Sequence, residues 1–132
     1  MPQVTLHLKV LEMTLLLMVA RRAGEGEREL REGRWTGWRP THMIGTKVSG
    51  ATLGIVGFGR IGQLVAHRMQ AFGMDVVAYD PYLQPARAAQ LNVKLVELDE
   101  LLRVSDFITI HLPKTKETAN LIGTEALNKV KP

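Results

Sequence analysis

Three glycines and one aspartate are the residues of this 132-residue sequence best placed to do chemistry. Gly57-Phe58-Gly59-Arg60-Ile61-Gly62 follows an apolar run and opens a helical pattern, and Asp80 stands 18 residues after Gly62. A glycine at 57 permits a tight turn out of a strand. A glycine at 59 leaves the backbone bare, so that a pyrophosphate can approach it. A glycine at 62 lets the helix lie close to the sheet. The helix that starts at Arg60 aims free N–H groups and its positive dipole end at the same point. A carboxylate ending the next strand accepts hydrogen bonds from ribose hydroxyls and repels a 2′-phosphate, which favours NAD over NADP. Two other readings stand beside this one. The first is a plain glycine turn with a surface aspartate. The second is a methyltransferase using S-adenosylmethionine, which also sets a Gly-rich loop after one strand and an acid after the next. The spacing of the third glycine and the helix entry favour the dinucleotide.

The elements around the motif supply the context it needs. Apolar runs at Thr52–Val56, Asp75–Tyr79, Val93–Val96 and Phe107–Leu112 alternate with helical patterns at Arg60–Phe72, Pro85–Gln90 and Leu98–Val104. Thr124–Val130 reads as one or two last helical turns. Such alternation predicts an α/β fold, a Rossmann-type parallel sheet flanked by helices. The strands show little polar alternation, as expected where helices cover both faces. Strand order 3-2-1-4 would leave Phe107–Leu112 as an apolar edge, and such an edge recruits other chains. Upstream, residues 10–32 read as one long helix, apolar first and charged later, and Gly33–Gly50 as a loop connector. The predicted division is therefore an N-terminal helix and connector at 1–50 and a dinucleotide-binding domain, incomplete, at 51–132.

Composition narrows the function classes. Apolar residues at 45% and charged residues at 23% are ordinary for a globular domain and exclude a disordered tail. With no cysteine, disulfides, thiol catalysis and cysteine-bearing metal sites are excluded. The balance fits a cytoplasmic protein. The net charge of +4 sits mainly in residues 1–50, where Arg21 to Glu32 mix the two signs. That mixture suggests a solvated helix face with i,i+3 and i,i+4 pairs. A nucleic-acid surface needs an unmixed basic stripe, and Trp35 and Trp38 are expected to pack. Val10–Ala20 would cover only about 16 Å as a helix, too short to span a membrane. It reads as a helix buried nearly all round. His7, His42 and His67 share no metal-ligand spacing.

Taken in order, Thr52 to Gly62, Val77-Ala78-Tyr79-Asp80-Pro81, Ser105-Asp106 and His111-Leu112-Pro113 resemble the NAD-dependent D-2-hydroxyacid dehydrogenases. The glyoxylate/hydroxypyruvate reductase branch is the most similar, and the match runs from about residue 13 to the end. The resemblance implies that backbone groups of Arg60 and Ile61 hold the pyrophosphate. Asp80, with Pro81 and Tyr82, would frame the adenosine ribose. His111, Leu112 and Pro113 would line the adenine and ribose side of the cleft, and Thr118 would reach a phosphate. The alternative for His111 is a histidine that merely ends a strand. The first helix would pair with a second subunit in a homodimer, and Trp35 or Trp38 could border the partner's substrate site.

The family's chemistry is hydride transfer between nicotinamide and C2 of a small 2-keto or 2-hydroxy acid, served by an arginine, a glutamate and a histidine. None of the three has a counterpart here. Two expectations follow. One is the cofactor-binding part of such an oxidoreductase, inactive alone. The other is a stand-alone dinucleotide-binding module without turnover.

Overall fold

The computed structural model describes residues 2–132, with side chains described from Val10 onward. His7 and every other side chain before Val10 lie outside the described ones. The element order is α1 (Pro2–Ala20), α2 (Ala23–Arg31), β1 (Thr52–Val56), α3 (Arg60–Ala71), β2 (Asp75–Tyr79), α4 (Pro85–Ala89), β3 (Lys94–Leu95), α5 (Leu98–Val104), β4 (Phe107–Ile110) and α6 (Thr124–Leu127).

The four strands form one parallel sheet in the order β3-β2-β1-β4. Leu53 pairs with Val76 on one side and Phe107 on the other, and Ile55 with Ala78 and Thr109. β1 is central, which explains its apolar sequence: Leu53, Ile55 and Val56 are fully buried. On one face Leu53 and Ile55 pack with Val65, Ala66 and Met69 of α3, and Met13, Leu16 and Leu17 of α1 close over that cluster. On the other face α5 presses so near that a Cβ at Gly54 would strike the Leu101 side chain. The doubly covered sheet is the arrangement expected of strands without polar alternation.

Several boundaries differ from the sequence reading. Residues 10–32 are not one helix. Arg22 takes a left-handed conformation (φ 54°) that ends α1 and starts α2 in a new direction. The expected long apolar helix, buried nearly all round, is not found. Ala20 is buried and Met13, Leu16 and Leu17 are partly so, but Val10, Leu11, Leu15, Met18 and Val19 are exposed. No described helix is long and apolar enough to cross a membrane. β3 has two residues, Lys94–Leu95, where four were expected at Val93–Val96; Asn92 turns the chain at positive φ before it, and at its other end the Val96 N–H still donates to the Ala78 carbonyl at 2.9 Å. β4 stops at Ile110: the His111 N–H still donates to the Val56 carbonyl at 2.8 Å, and the chain then leaves at Leu112-Pro113.

The connector at 33–50 lies on the surface. It is tied down by the Thr46 N–H to the Ala20 carbonyl at 2.7 Å and by the buried Glu29, whose carboxylate meets His42 Nε2 at 2.8 Å. His42 is thus a structural anchor. Trp38 is 82% exposed and Trp35 is exposed too, so neither packs as expected within this chain. Gly33, Gly37 and Gly45 turn that stretch at positive φ; Gly45 lies against the Ala20 backbone, and Val48 reaches the core.

Exposed apolar groups gather at the β4 edge, where Ile110 is half exposed, and on the outer face of α1. The chain is expected to self-associate with rising concentration in sedimentation velocity. A monodisperse monomer with a sharp, high-temperature melt would contradict this.

Candidate dinucleotide site

The turn from β1 into α3 carries the sequence motif. Gly57 has φ 93°, and a Cβ there would lie 3.0 Å from the His111 carbonyl oxygen. Glycine is required on both counts. A Cβ at Gly62 would sit 2.5 Å from the Gly57 carbonyl oxygen, so α3 could not lie this close to the strand end with any larger residue. Gly59 differs: a Cβ there meets nothing within 4 Å, and the residue is exposed. Its missing side chain answers no need inside the chain and leaves open the approach to the backbone.

α3 begins at that open point. Gly59 is its N-cap and makes no side-chain capping bond, and the first turn holds no acidic residue. The first-turn N–H groups of α3, those of Arg60 and Ile61 among them, have no carbonyl one turn earlier to bind, so they and the positive end of the helix dipole face outward. Phe58 is 1% exposed and anchors the loop in the core. Gln63 Nε2 donates to the Phe58 carbonyl at 3.0 Å, which holds the loop from its other side.

Asp80, at the carboxyl end of β2, locks onto this turn. Its Oδ2 accepts the Phe58 N–H at 2.9 Å and its Oδ1 accepts the Tyr82 N–H at 3.0 Å. Each oxygen keeps acceptor capacity for a further donor. Beside Asp80 lies a cavity of about 560 Å³, lined among others by Leu83, Pro85, Leu95, Val96, Glu97 and Glu100. Its lining mixes apolar side chains at Pro81, Leu83, Pro85, Leu95 and Val96 with carboxylates at Asp80, Glu97 and Glu100, and Glu100 is paired with Lys94 at 3.1 Å. A phosphate on the ribose would meet mainly negative charge there. No residue type or spacing in the sequence marks these residues, although strand order 3-2-1-4 places the carboxyl end of β3 beside Asp80.

The structure spreads the other expected site residues differently. Pro81 lines the Asp80 cavity, whereas the Tyr82 side chain is 92% exposed. Leu112 touches the Gly57 turn, and His111 follows β4 beside it. Leu112, Pro113 and Thr118 line a separate cavity of about 390 Å³ and do not reach the one at Asp80. Thr118 does not offer a free hydroxyl. Its Oγ1 donates to the Pro113 carbonyl at 2.6 Å and accepts the Thr115 N–H at 2.8 Å, so it shapes its own loop. The His111 imidazole is half buried, and that burial holds its pKa below the usual histidine range, with Glu12 pulling weakly the other way. A larger groove of about 640 Å³ runs along the flank of α3, between Leu64, His67 and Leu91, and meets the motif only at Arg60.

Backbone bared at Gly59, an uncapped helix N-terminus and a carboxylate set one strand away fit the two halves of a dinucleotide. The groups lie outside the carboxyl ends of the strands, where the sheet order reverses between β1 and β4, as in open α/β sheets that bind nucleotides.

Comparison with known proteins agrees with that geometry. The family model for the NAD binding domain of D-isomer specific 2-hydroxyacid dehydrogenases matches residues 13–132. D-3-phosphoglycerate dehydrogenase of Mycobacterium bovis is 54% identical over 120 residues, covering 91% of this chain and 22% of that protein. Glyoxylate reductase of Thermococcus litoralis is 43% identical over 126 residues, covering 92% of this chain and 38% of that protein. A crystal structure of a Thermus thermophilus protein superposes with a TM-score of 0.85 at 42% identity, covering 93% of this chain and 38% of that one. The chain spans about a fifth to two fifths of the length of these relatives. It belongs to the D-isomer specific 2-hydroxyacid dehydrogenase family, and what it comprises is that family's NAD-binding domain.

Proposed function

We propose that this chain holds NAD(H) for an oxidoreductase that moves a hydride between nicotinamide and C2 of a small 2-keto or 2-hydroxy acid of the glyoxylate or hydroxypyruvate kind. The observation that carries the reading is the pairing of the open Gly59 backbone with Asp80, locked to the same turn through the Phe58 N–H. The first-turn N–H groups of α3 hold the pyrophosphate. Asp80 accepts from the adenosine ribose, the cavity walls at Leu83, Leu95 and Val96 take the adenine ring, and His111 and Leu112 border the crevice beyond Gly57. When bound, the nicotinamide supplies or receives the hydride. The described residues orient it, and the acid–base and substrate-gripping groups belong to the rest of the intact enzyme. In this reading residues 51–132 form the dinucleotide-binding unit, residues 1–50 carry the interface helix and connector, and the enzyme works in the cytoplasm. The exposed face of α1 supports a homodimer contact. The 54% identity to a D-3-phosphoglycerate dehydrogenase favours a second substrate reading, a phosphorylated three-carbon 2-hydroxy acid.

Calorimetric titration of the chain with NAD+ and NADP+ tests the site. Gly59→Val is expected to abolish NAD+ binding, because a branched side chain would fill the open approach to the α3 N-terminus. Asp80→Ala is expected to weaken NAD+ by about tenfold or more, from loss of a charge-assisted acceptor, and NADP+ by less. Equal losses for the two nucleotides would contradict the ribose assignment. Adding glyoxylate or hydroxypyruvate to the purified chain with NADH is expected to leave the NADH absorbance unchanged. Oxidation of NADH by these residues alone would overturn the assignment of the chemistry to groups elsewhere.

A further inference from the structure

A hydrogen-bonded chain outside the glycine motif joins α1 to the crevice. Glu12 of α1, Thr109 of β4 and His111 just beyond β4 meet across 97 residues of sequence. Thr109 is buried, and its Oγ1 lies 3.1 Å from Glu12 Oε2 and 3.1 Å from His111 Nε2. A threonine hydroxyl has one proton to give, and a carboxylate can only accept. That proton is therefore directed to Glu12, and the hydroxyl oxygen is left to accept from His111 Nε2–H. The ring then carries its proton on Nε2, and Nδ1 is left as an acceptor that makes no hydrogen bond among the described residues. Burial lowers the ring's pKa and so favours its neutral form. His111 follows β4 at the place where the sheet order reverses, and its backbone lies against Gly57.

We propose that Glu12 is a positioning residue for the dinucleotide site: acting through the Thr109 hydroxyl, it holds the His111 imidazole in the Nε2–H form, so that Nδ1 accepts from a hydroxyl or amide donor of the bound dinucleotide. The partner that fixes one ring nitrogen of a histidine determines what the other can do, as with histidines held by an outer carboxylate. Removing the carboxylate frees the Thr109 proton to turn toward Nε2, and the tautomer preference is lost. The proposal rests on the dinucleotide reading of the crevice, although the tautomer is set before any ligand arrives. It also assigns α1 a role at the site in addition to its packing on α3.

The test combines nitrogen-15 NMR of the histidine rings, on the full chain without nucleotide, with NAD+ titration. The wild-type chain is expected to show His111 protonated at Nε2 and bare at Nδ1. Glu12→Leu and Thr109→Val are each expected to give a mixture of tautomers and to lower NAD+ affinity by about tenfold, the size of one hydrogen bond, while Thr109→Ser restores both readings. A wild-type ring protonated at Nδ1, or a Glu12→Leu ring indistinguishable from wild type, would overturn the relay. A shifted tautomer with unchanged NAD+ affinity would overturn its connection to the site. Should Glu12→Leu fail to fold, the Thr109→Val and Thr109→Ser pair makes the same comparison. Absence of NAD+ binding by the wild-type chain, with the Nε2–H ring intact, would instead overturn the dinucleotide reading and with it the ligand half of this proposal.

Discussion

The close approach of α3 to the end of β1 is the constraint on which the rest of this molecule depends. The Gly57 carbonyl lies so near Gly62 that no side chain fits between them, and the Asp80 carboxylate ties the Phe58 N–H to the neighbouring strand. Together these contacts fix where α3 starts and which way its first-turn N–H groups point. A shift of one residue would bury those groups or turn them from the crevice. The buried Phe58 side chain and the Gln63 bond to its carbonyl hold the loop from below and beside. The loop is thus shaped before any ligand arrives, which lowers the ordering cost of binding.

Around that turn the sheet order separates two environments. On the β2 and β3 side, apolar side chains and three carboxylates line the cavity at Asp80. On the β4 side, Leu112, Pro113 and the loop after it line a separate cavity, and the half-buried His111 ring, its pKa lowered by burial, follows β4 beside the Gly57 turn. The same ordering makes β4 an edge strand with α1 beside it, and Glu12 crosses that gap to reach Thr109. Packing therefore reaches beyond α3: the same helix hydrogen-bonds through Glu12 to Thr109 of β4, which in turn meets His111.

Much of this was legible in the sequence, and the reasons are local. The span of β1, β2 and α5, the strand order and the packing roles of Gly57 and Gly62 follow from apolar runs and glycine spacing, both short-range signals. The break at Arg22 was not legible, because a left-handed residue that is not glycine leaves no compositional mark. Thr118 has the residue type for a phosphate contact, and only the three-dimensional turn shows its hydroxyl committed to Pro113 and Thr115. The Glu12–Thr109–His111 chain was invisible for the opposite reason, since its first two members stand 97 residues apart in sequence. The exposure of Trp38 also reverses a general tendency, because a glycine-rich connector has no core of its own to bury it.

The central claim is that the Gly57–Gly62 turn and Asp80 form the NAD site. It is tested most directly by mapping backbone amide shifts of the nitrogen-15-labelled chain as NAD+ is added. The account predicts that the largest changes fall on Gly57 to Gly62, Asp80 and the carboxyl end of β3, with smaller changes at His111 and Leu112. Changes concentrated instead along the groove at Leu64, His67 and Leu91, with the glycine turn unmoved, would contradict it.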